Sequence, residues 1–297
     1  MSAFTWPAIQ VRNSRLTACQ HIGAVKAMIG LDWAEVRRSR WLYVFLGINA
    51  VLAASFVSIG MRESALLGFT GMGRVMLSVV HALLLLLPLL ALMLSGQIIV
   101  RSRDDGSLEL LFSHPLSRSA YFSGISAVRY AALLIPLLAL MMLMAGSAWV
   151  LFGEPVPWMS LLRESAVCAG LLWAFTGLGF AISASVRSQT RALICLLLAW
   201  LAGVALLDFA LIGMMLAWGL NPRAVFLLAA LNPVEAARMA LLSAADPTLA
   251  NLGPVGFYLI HQIGASRLFA LGTAWPVLFG TCAWVYARCQ FLKKDLV

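Results

Sequence analysis

Of the 297 residues, 62% are hydrophobic and only 11% are charged. With a mean hydropathy of +0.92, that excludes an ordinary water-soluble domain and leaves an all-α polytopic membrane protein. The net charge of +9 then concerns which side of a membrane each loop faces, and does not point to nucleic acid.

Residues 1–18 are polar and irregular, with Pro7, Arg12, Asn13 and Arg15. No apolar core follows a basic start, so they read as a polar extension and not as a cleaved secretory signal. Over residues 19–40, Ile22, Val25, Ile29, Trp33 and Val36 recur every three or four positions, while Lys26, Asp32, Glu35, Arg37 and Arg38 fall mostly elsewhere. This spacing predicts an amphipathic helix lying in the membrane interface.

Six long apolar stretches follow, at about 41–61, 75–99, 123–152, 165–186, 192–218 and 268–287. Each is near the ~20 residues that cross a bilayer. Trp41, Tyr43, Trp149, Trp218, Trp284 and Tyr286 lie close to their ends, as an aromatic belt would have them. An even number of spans puts both termini on one side. That side holds fifteen of the 21 Lys and Arg residues, so both termini and the 100–122 loop are expected in the cytoplasm. Arg129, one or two turns into the third stretch, is expected to snorkel to that surface. Arg288, Lys293 and Lys294 read as a stop-transfer anchor.

Between the second and third stretches lies a polar island, Arg101 to Arg118. Asp105 is placed to accept from the free N–H groups of a first helical turn, and Glu109 favours the helix dipole. Pro115 stops the helix near Ser113 or His114. What remains, over about 105–115, is roughly 12 Å long. Leu108, Leu111 and Phe112 share one face. Such a face must be covered by the membrane surface, by the chain's own helices or by a separate cytoplasmic protein.

The segment of about 219–267, on the opposite side, is too long for a simple turn. Asn221-Pro222 and Asn232-Pro233 are start signals. Asn232 can cap a helix from Pro233 to Ser243, with Glu235 in its first turn and Val234, Ala237, Leu241 and Leu242 as its apolar side. Leu252 to Gly256 then breaks any helix. Two readings stand: interfacial helices sealing the outer mouth, or a docking surface for a periplasmic partner carried by Asn232, Pro233, Val234, Glu235, Arg238 and Met239.

Asp208 is the acidic residue deep in an apolar stretch, a candidate for an intramembrane pathway. His81 reads as an interhelical polar group. Adjacent residues leave different faces of a helix, so Met141, Met142 and Met144, like Met214 and Met215, read as packing rather than as a soft-metal site. Gly177, Gly179 and Ser183 suit close helix approach. Cys19, Cys168, Cys195, Cys282 and Cys289 have no metal-ligand spacing. No P-loop, H-E-x-x-H or G-x-S-x-G sequence occurs. No catalytic site or metal site is expected, and no cofactor bound by this chain.

The run DDGSLELLFSHPLSR resembles the coupling helix of ABC-2 type transporter permeases: an acidic-Gly-Ser/Thr-Leu-Glu-x-Leu-Leu run followed by Ser-x-Pro-hydrophobic-Ser-Arg. The family often has Glu where this chain has Asp104 and Asp105. The resemblance covers almost all of 19–297. It implies an elbow helix at 19–40 and a six-span transmembrane domain over 41–297. It also implies a coupling helix, carried by Asp105, Gly106, Leu108, Glu109, Leu111, Phe112, Ser113, His114, Pro115 and Arg118, that docks in a groove of a cytoplasmic ATP-binding subunit. LNPVEAARM, GPVG and the tail RCQFLKKDL are similar, more narrowly, to the permeases of nitrous-oxide reductase maturation transporters. There a permease dimer in the bacterial inner membrane binds two ATPase subunits, which hold ATP and Mg, and carries a periplasmic β-helix protein of the copper-delivery type. The complex supports assembly of a copper–sulfide centre. A general ABC-2 exporter, a stand-alone secondary transporter using Asp208 and a non-transporting membrane transducer remain as alternatives.

Overall fold

The computed structural model describes residues 23, 25–67, 72–112, 117–152, 156, 158–206, 229–245 and 264–293. Among them every regular element is helical. In order they are α1 (25–38), α2 (Arg40–Leu67), α3 (Met72–Ser95), α4 (Ile98–Asp104) and α5 (Ser107–Phe112), followed by α6 (Arg118–Phe152), α7 (Trp158–Ser185), α8 (Gln189–Leu201), α9 (Pro233–Ala245) and α10 (Ala265–Lys293). A π-helical turn, Ala202–Leu206, continues α8.

Four helical stretches among the described residues are long and apolar enough to cross a membrane. They are Ser78–Asp104, which runs α3 and α4 together, Arg118–Ser147, Trp158–Ser185 and Ala265–Lys293. The stretches expected to be the first and fifth spans fall on α2 and α8, whose apolar parts Arg40–Ser55 and Gln189–Val204 are shorter. Residues 207–218 of the fifth lie outside the described residues, and so do Asp208, Met214 and Met215.

The centre of the molecule is α7. Leu171, Leu172, Ala174, Phe175, Thr176 and Phe180 are all buried, so α7 has no polar face beyond its exposed first turns, where Trp158, Met159 and Leu162 lie outside. It packs on α10 and α3, and α9 fills the angle between α7 and α10. Gly177 lies directly against the Gly280 carbonyl, and a Cβ on Gly280 would stand 2.7 Å from the Ala174 Cα. Any larger residue here would force α7 and α10 apart. Around this contact Phe45, Leu83, Leu87, Leu137, Leu140 and Phe175 form the main core. Met141 and Met144 belong to it, whereas Met142 points outward, so the methionine run divides between two faces. Cys168 is buried, while Cys195, Cys282 and Cys289 are exposed free thiols.

Three of the spanning helices carry an internal proline: Pro88 in α3, Pro136 in α6 and Pro276 in α10. Each removes the N–H that would bond the carbonyl four residues earlier, at Leu84, Ala132 and Gly272.

Candidate coupling site

The site begins with the break between α3 and α4. Ser95 donates its hydroxyl to the Ala91 carbonyl at 2.6 Å, and the chain turns through Gly96 and Gln97. A helix that restarts has free N–H groups at its first turn. Here Ile99 and Val100 donate to the Ser183 hydroxyl oxygen of α7, at 3.1 and 3.3 Å. Ser183 therefore does more than allow close packing: it caps α4 from across the core.

At its other end α4 closes on Gly106. The Asp105 N–H donates to the Arg101 carbonyl at 2.9 Å, and the Gly106 N–H to that of Arg103 at 3.2 Å. Gly106 has φ +66°, the left-handed conformation a glycine supplies after a helix. Asp105 thus ends one helix instead of capping the next, and its carboxylate lies 3.6 Å from Arg101 with both side chains 64% exposed. Such a pair adds little. The helix expected from Asp105 starts two residues later, and the Ser107 hydroxyl donates back to the Ser102 carbonyl at 3.0 Å. Ser113, His114, Pro115 and the Glu109 side chain lie outside the described residues.

The apolar face of α5 is covered, and its cover is the chain itself. Leu108 is 1% exposed, with Leu111 and Phe112 packed beside it against Met28, Ile98, Ile99, Tyr121, Phe122 and Phe291. Phe112 meets Tyr121 edge-on at 5.5 Å between ring centres and Phe291 at 6.4 Å. Tyr121 stacks on Phe291 at 6.0 Å, and Phe122 touches Phe180, Trp284 and Phe291 at 5.5, 5.6 and 5.5 Å. The short helix is therefore keyed by the Phe112 ring into α6 and α10, and Phe122 carries the cluster on to α7. Leu108, Leu111 and Phe112, expected to meet a partner, pack inside this chain. The side chains turned outward here are Asp104, Asp105, Ser107 and Arg118. The Arg118 guanidinium lies 6.0 Å from the centre of the Phe112 ring.

Two cations differ from their expected roles. Arg288 is more than an anchor: it donates to the Ser119 hydroxyl at 2.7 Å and lies over the Trp284 ring, tying α10 to the first turn of α6. Trp284 in turn donates its Nε1–H to the Ser126 hydroxyl at 2.9 Å. Arg129 does not snorkel. Its side chain is 5% exposed, and Nη2 donates to Asp32 Oδ1 at 2.7 Å, with Glu35 Oε1 at 3.5 Å.

That pair also rotates α1. The buried residues are Met28, Asp32 and Val36, four apart, whereas Ile29 is 37% exposed. A hydrophobic pattern alone places Asp32 on the outer side. An unpaired guanidinium inside the protein is far costlier than an exposed isoleucine, so Asp32 wins the inner position. Burial pushes the Asp32 carboxyl above the usual carboxylate range, and the charge and hydrogen bond of Arg129 draw it back only in part.

The predicted periplasmic docking residues sit at the other end of the molecule, and most of them face inward. α9 runs Pro233–Ala245, as expected from its cap. Asn232 Oδ1 accepts from the Val234 N–H at 3.0 Å while its Nδ2 donates to the Gly203 carbonyl at 2.6 Å, in the π turn. Asn232, Pro233, Val234 and Glu235 are buried; Arg238 and Met239 are half-buried. Arg238 Nη1 lies 2.7 Å from Glu235 Oε1. Most of α9 accordingly packs inside the chain, with Arg238 and Met239 at its outer side.

Sequence reasoning missed the Asp32–Arg129 pair, the Phe291–Tyr121–Phe122 cluster and Glu164. Glu164 is 7% exposed in the first turns of α7, one residue before the stretch drawn as the fourth span. A signal for the pair was present: an arginine well inside an apolar run, and Asp32 and Glu35 three apart on a helix that must lie against it.

Comparison with known proteins agrees with this architecture. The family model described as ABC-2 family transporter protein matches residues 27–296. The chain belongs to that family, and is thus a membrane permease of the ABC transporter class. Among curated proteins it is similar to a probable ABC transporter permease protein NosY of Stutzerimonas stutzeri, 28% identical over 248 residues, which cover 80% of this chain and 88% of the relative. A protein of the same description from Pseudomonas aeruginosa is 28% identical over 261 residues, covering 82% and 90%.

Proposed function

We propose that this permease converts the movement of a separate cytoplasmic ATPase into a rearrangement of its spans, and that α5 is the element the ATPase holds. The observation that carries this reading is the keying of α5, through Leu108 and Phe112, into helices from three parts of the chain. A displaced α5 cannot move without α4, α6 and α10. The ATPase groove takes the outward rim of Asp104, Asp105, Ser107 and Arg118, with Glu109 as a further polar contact. The apolar face stays inside the permease. ATP and Mg belong to the partner. Six spans, an interfacial elbow at α1, cytoplasmic termini and a homodimer with two ATPase subunits complete the proposed assembly, in a bacterial inner membrane.

The proposed pathway is maturation of the copper–sulfide centre of nitrous-oxide reductase. It is supported by the LNPVEAARM, GPVG and RCQFLKKDL runs. The inward packing of α9 favours a second reading for the outer side, in which α9 seals the mouth of an exporter for another solute and carries no β-helix partner.

The test is co-purification of the ATPase with the full-length permease carrying Asp104→Arg and Asp105→Arg. Both positions are exposed, so the permease should unfold at an unchanged temperature while retained ATPase falls about tenfold or more, as lost or reversed interfacial charge contacts imply. Undiminished ATPase at wild-type activity would overturn the docking assignment.

A further inference from the structure

A cavity of about 720 Å³ opens between α1, the start of α2 and the α3–α4 junction. Its walls divide by chemistry. Arg38, Arg40, Arg101 and Arg129 bring four guanidinium groups, against the carboxylates of Glu35 and Asp105. Trp41, Met93 and Leu94 form an apolar side, next to the start of one helix and the end of another.

The charges can be accounted for one by one. Arg129 is held by Asp32 from behind and approached by Glu35, and Arg101 lies beside Asp105. With Asp32 included, four positive charges face three negative ones, leaving a balance of +1. Arg38 and Arg40 are the cations of the wall not committed to any of these pairs. The buried Nε–H of Arg129 has no acceptor among the described residues. A single phosphodiester carries one negative charge and several acceptor oxygens, and guanidinium groups bind such groups by charge-assisted, often bidentate hydrogen bonds. A dianionic phosphate monoester fits the balance less well.

We propose that this cavity binds a phosphate-bearing monoanion between α1 and α4, and the apolar wall of Trp41, Met93 and Leu94 marks the headgroup of an anionic phospholipid as its source. An aromatic residue beside cations at the end of a spanning helix is where such a headgroup sits. The site would bridge α1 and α2 to the helix that leads into α5, so its occupancy would set how firmly the two move together. This proposal does not depend on ATPase docking, because it concerns the permease alone.

The experiment uses the purified full-length chain without any ATPase. After detergent exchange, retained lipid is measured by native mass spectrometry for the wild type, for Arg38→Gln with Arg40→Gln, and for Arg38→Lys with Arg40→Lys. Wild type should retain phosphatidylglycerol over diacylglycerol, which lacks the phosphate. The glutamine double variant should bind about tenfold more weakly per charge removed, and the lysine variant, which keeps the charge and loses the bidentate fork, should fall between it and wild type. Shifts in the unfolding midpoint with short-chain phosphatidylglycerol and with soluble glycerophosphoglycerol separate the sources. A shift with the lipid alone supports the headgroup, and a shift with both supports the anion site with a soluble ligand admitted. Equal retention of phosphatidylglycerol and diacylglycerol, or a glutamine variant that folds normally and retains as much as wild type, would overturn the proposal.

Discussion

At the α5 end, α10 meets its neighbours through large side chains. Phe291, Trp284 and Arg288 reach across to Phe112, Phe122, Ser126 and Ser119. At the α9 end the same helix lies backbone-close to Ala236 and Ala240 at Gly272, with Trp275 Nε1–H donating to the Leu231 carbonyl at 2.9 Å and Arg163 over the Phe269 ring. Rings and guanidinium groups can trade partners over a few ångströms and still stay in contact. A backbone-to-backbone seam of small residues has one good fit and loses it when shifted. The α5 end therefore has more ring contacts that can adjust, and the α9 end has the tighter small-residue seam at Gly272.

Substitutions at each end can break that contrast. The largest effect is expected from Asp32→Ala. It leaves Arg129 buried without its carboxylate, at a cost of about 3 kcal/mol. The unfolding midpoint, read from tryptophan fluorescence in detergent, should fall, and a second change, Arg129→Leu, should restore part of it. A midpoint unchanged by Asp32→Ala would mean that Glu35 or water replaces the partner.

Phe112→Ala should cost about 2 kcal/mol, since the ring is half-buried among others. Its more informative effect is on coupling: the ATPase should still bind, while transported or signalled output per ATP falls. Loss of ATPase binding would place the ring in the docking surface instead.

Asn232→Ala removes both the cap of α9 and the bond to Gly203, worth about 1 kcal/mol or somewhat more. The contrast between the ends predicts a leak at the α9 end, measured as solute entry into vesicles, with ATPase binding untouched. Arg118→Ala should be nearly silent for stability, about 0.5 kcal/mol from an exposed contact with the Phe112 ring. If ATPase binding is equally unaffected, the polar rim is narrower than proposed.

Much of this arrangement was legible in the chain's pattern. Asn232-Pro233 announced α9 and its cap, because a capping side chain and a proline at the first helical position are local chemistry. The apolar face of α5 was equally plain. Its cover was not, because Phe291 lies some 180 residues away in sequence and nothing local ties it to Phe112. The start of α5 was misplaced for a local reason: Gly106 can close the preceding helix, and that use took precedence over a cap at Asp105. The rotation of α1 needed Arg129, 97 residues from Asp32. Periodicity counts apolar residues and has no place for a buried charge answered by another charge.

The prolines of the spanning helices add a consequence. Pro88 stands 16 residues before the end of α4, Pro136 stands 18 after the start of α6, and Pro276 stands 17 before the end of α10. At 1.5 Å per residue all three lie roughly 25 Å from the α5 end, at about one depth. α5 touches α6 and α10 directly and α3 only through α4. Under the proposed coupling, a push delivered there would meet three helices weakened at a common storey, with the Gly177–Gly280 contact on the near side of it in α10. Amide deuterium uptake should then run highest within the spans in a band around that storey, in register across the three helices.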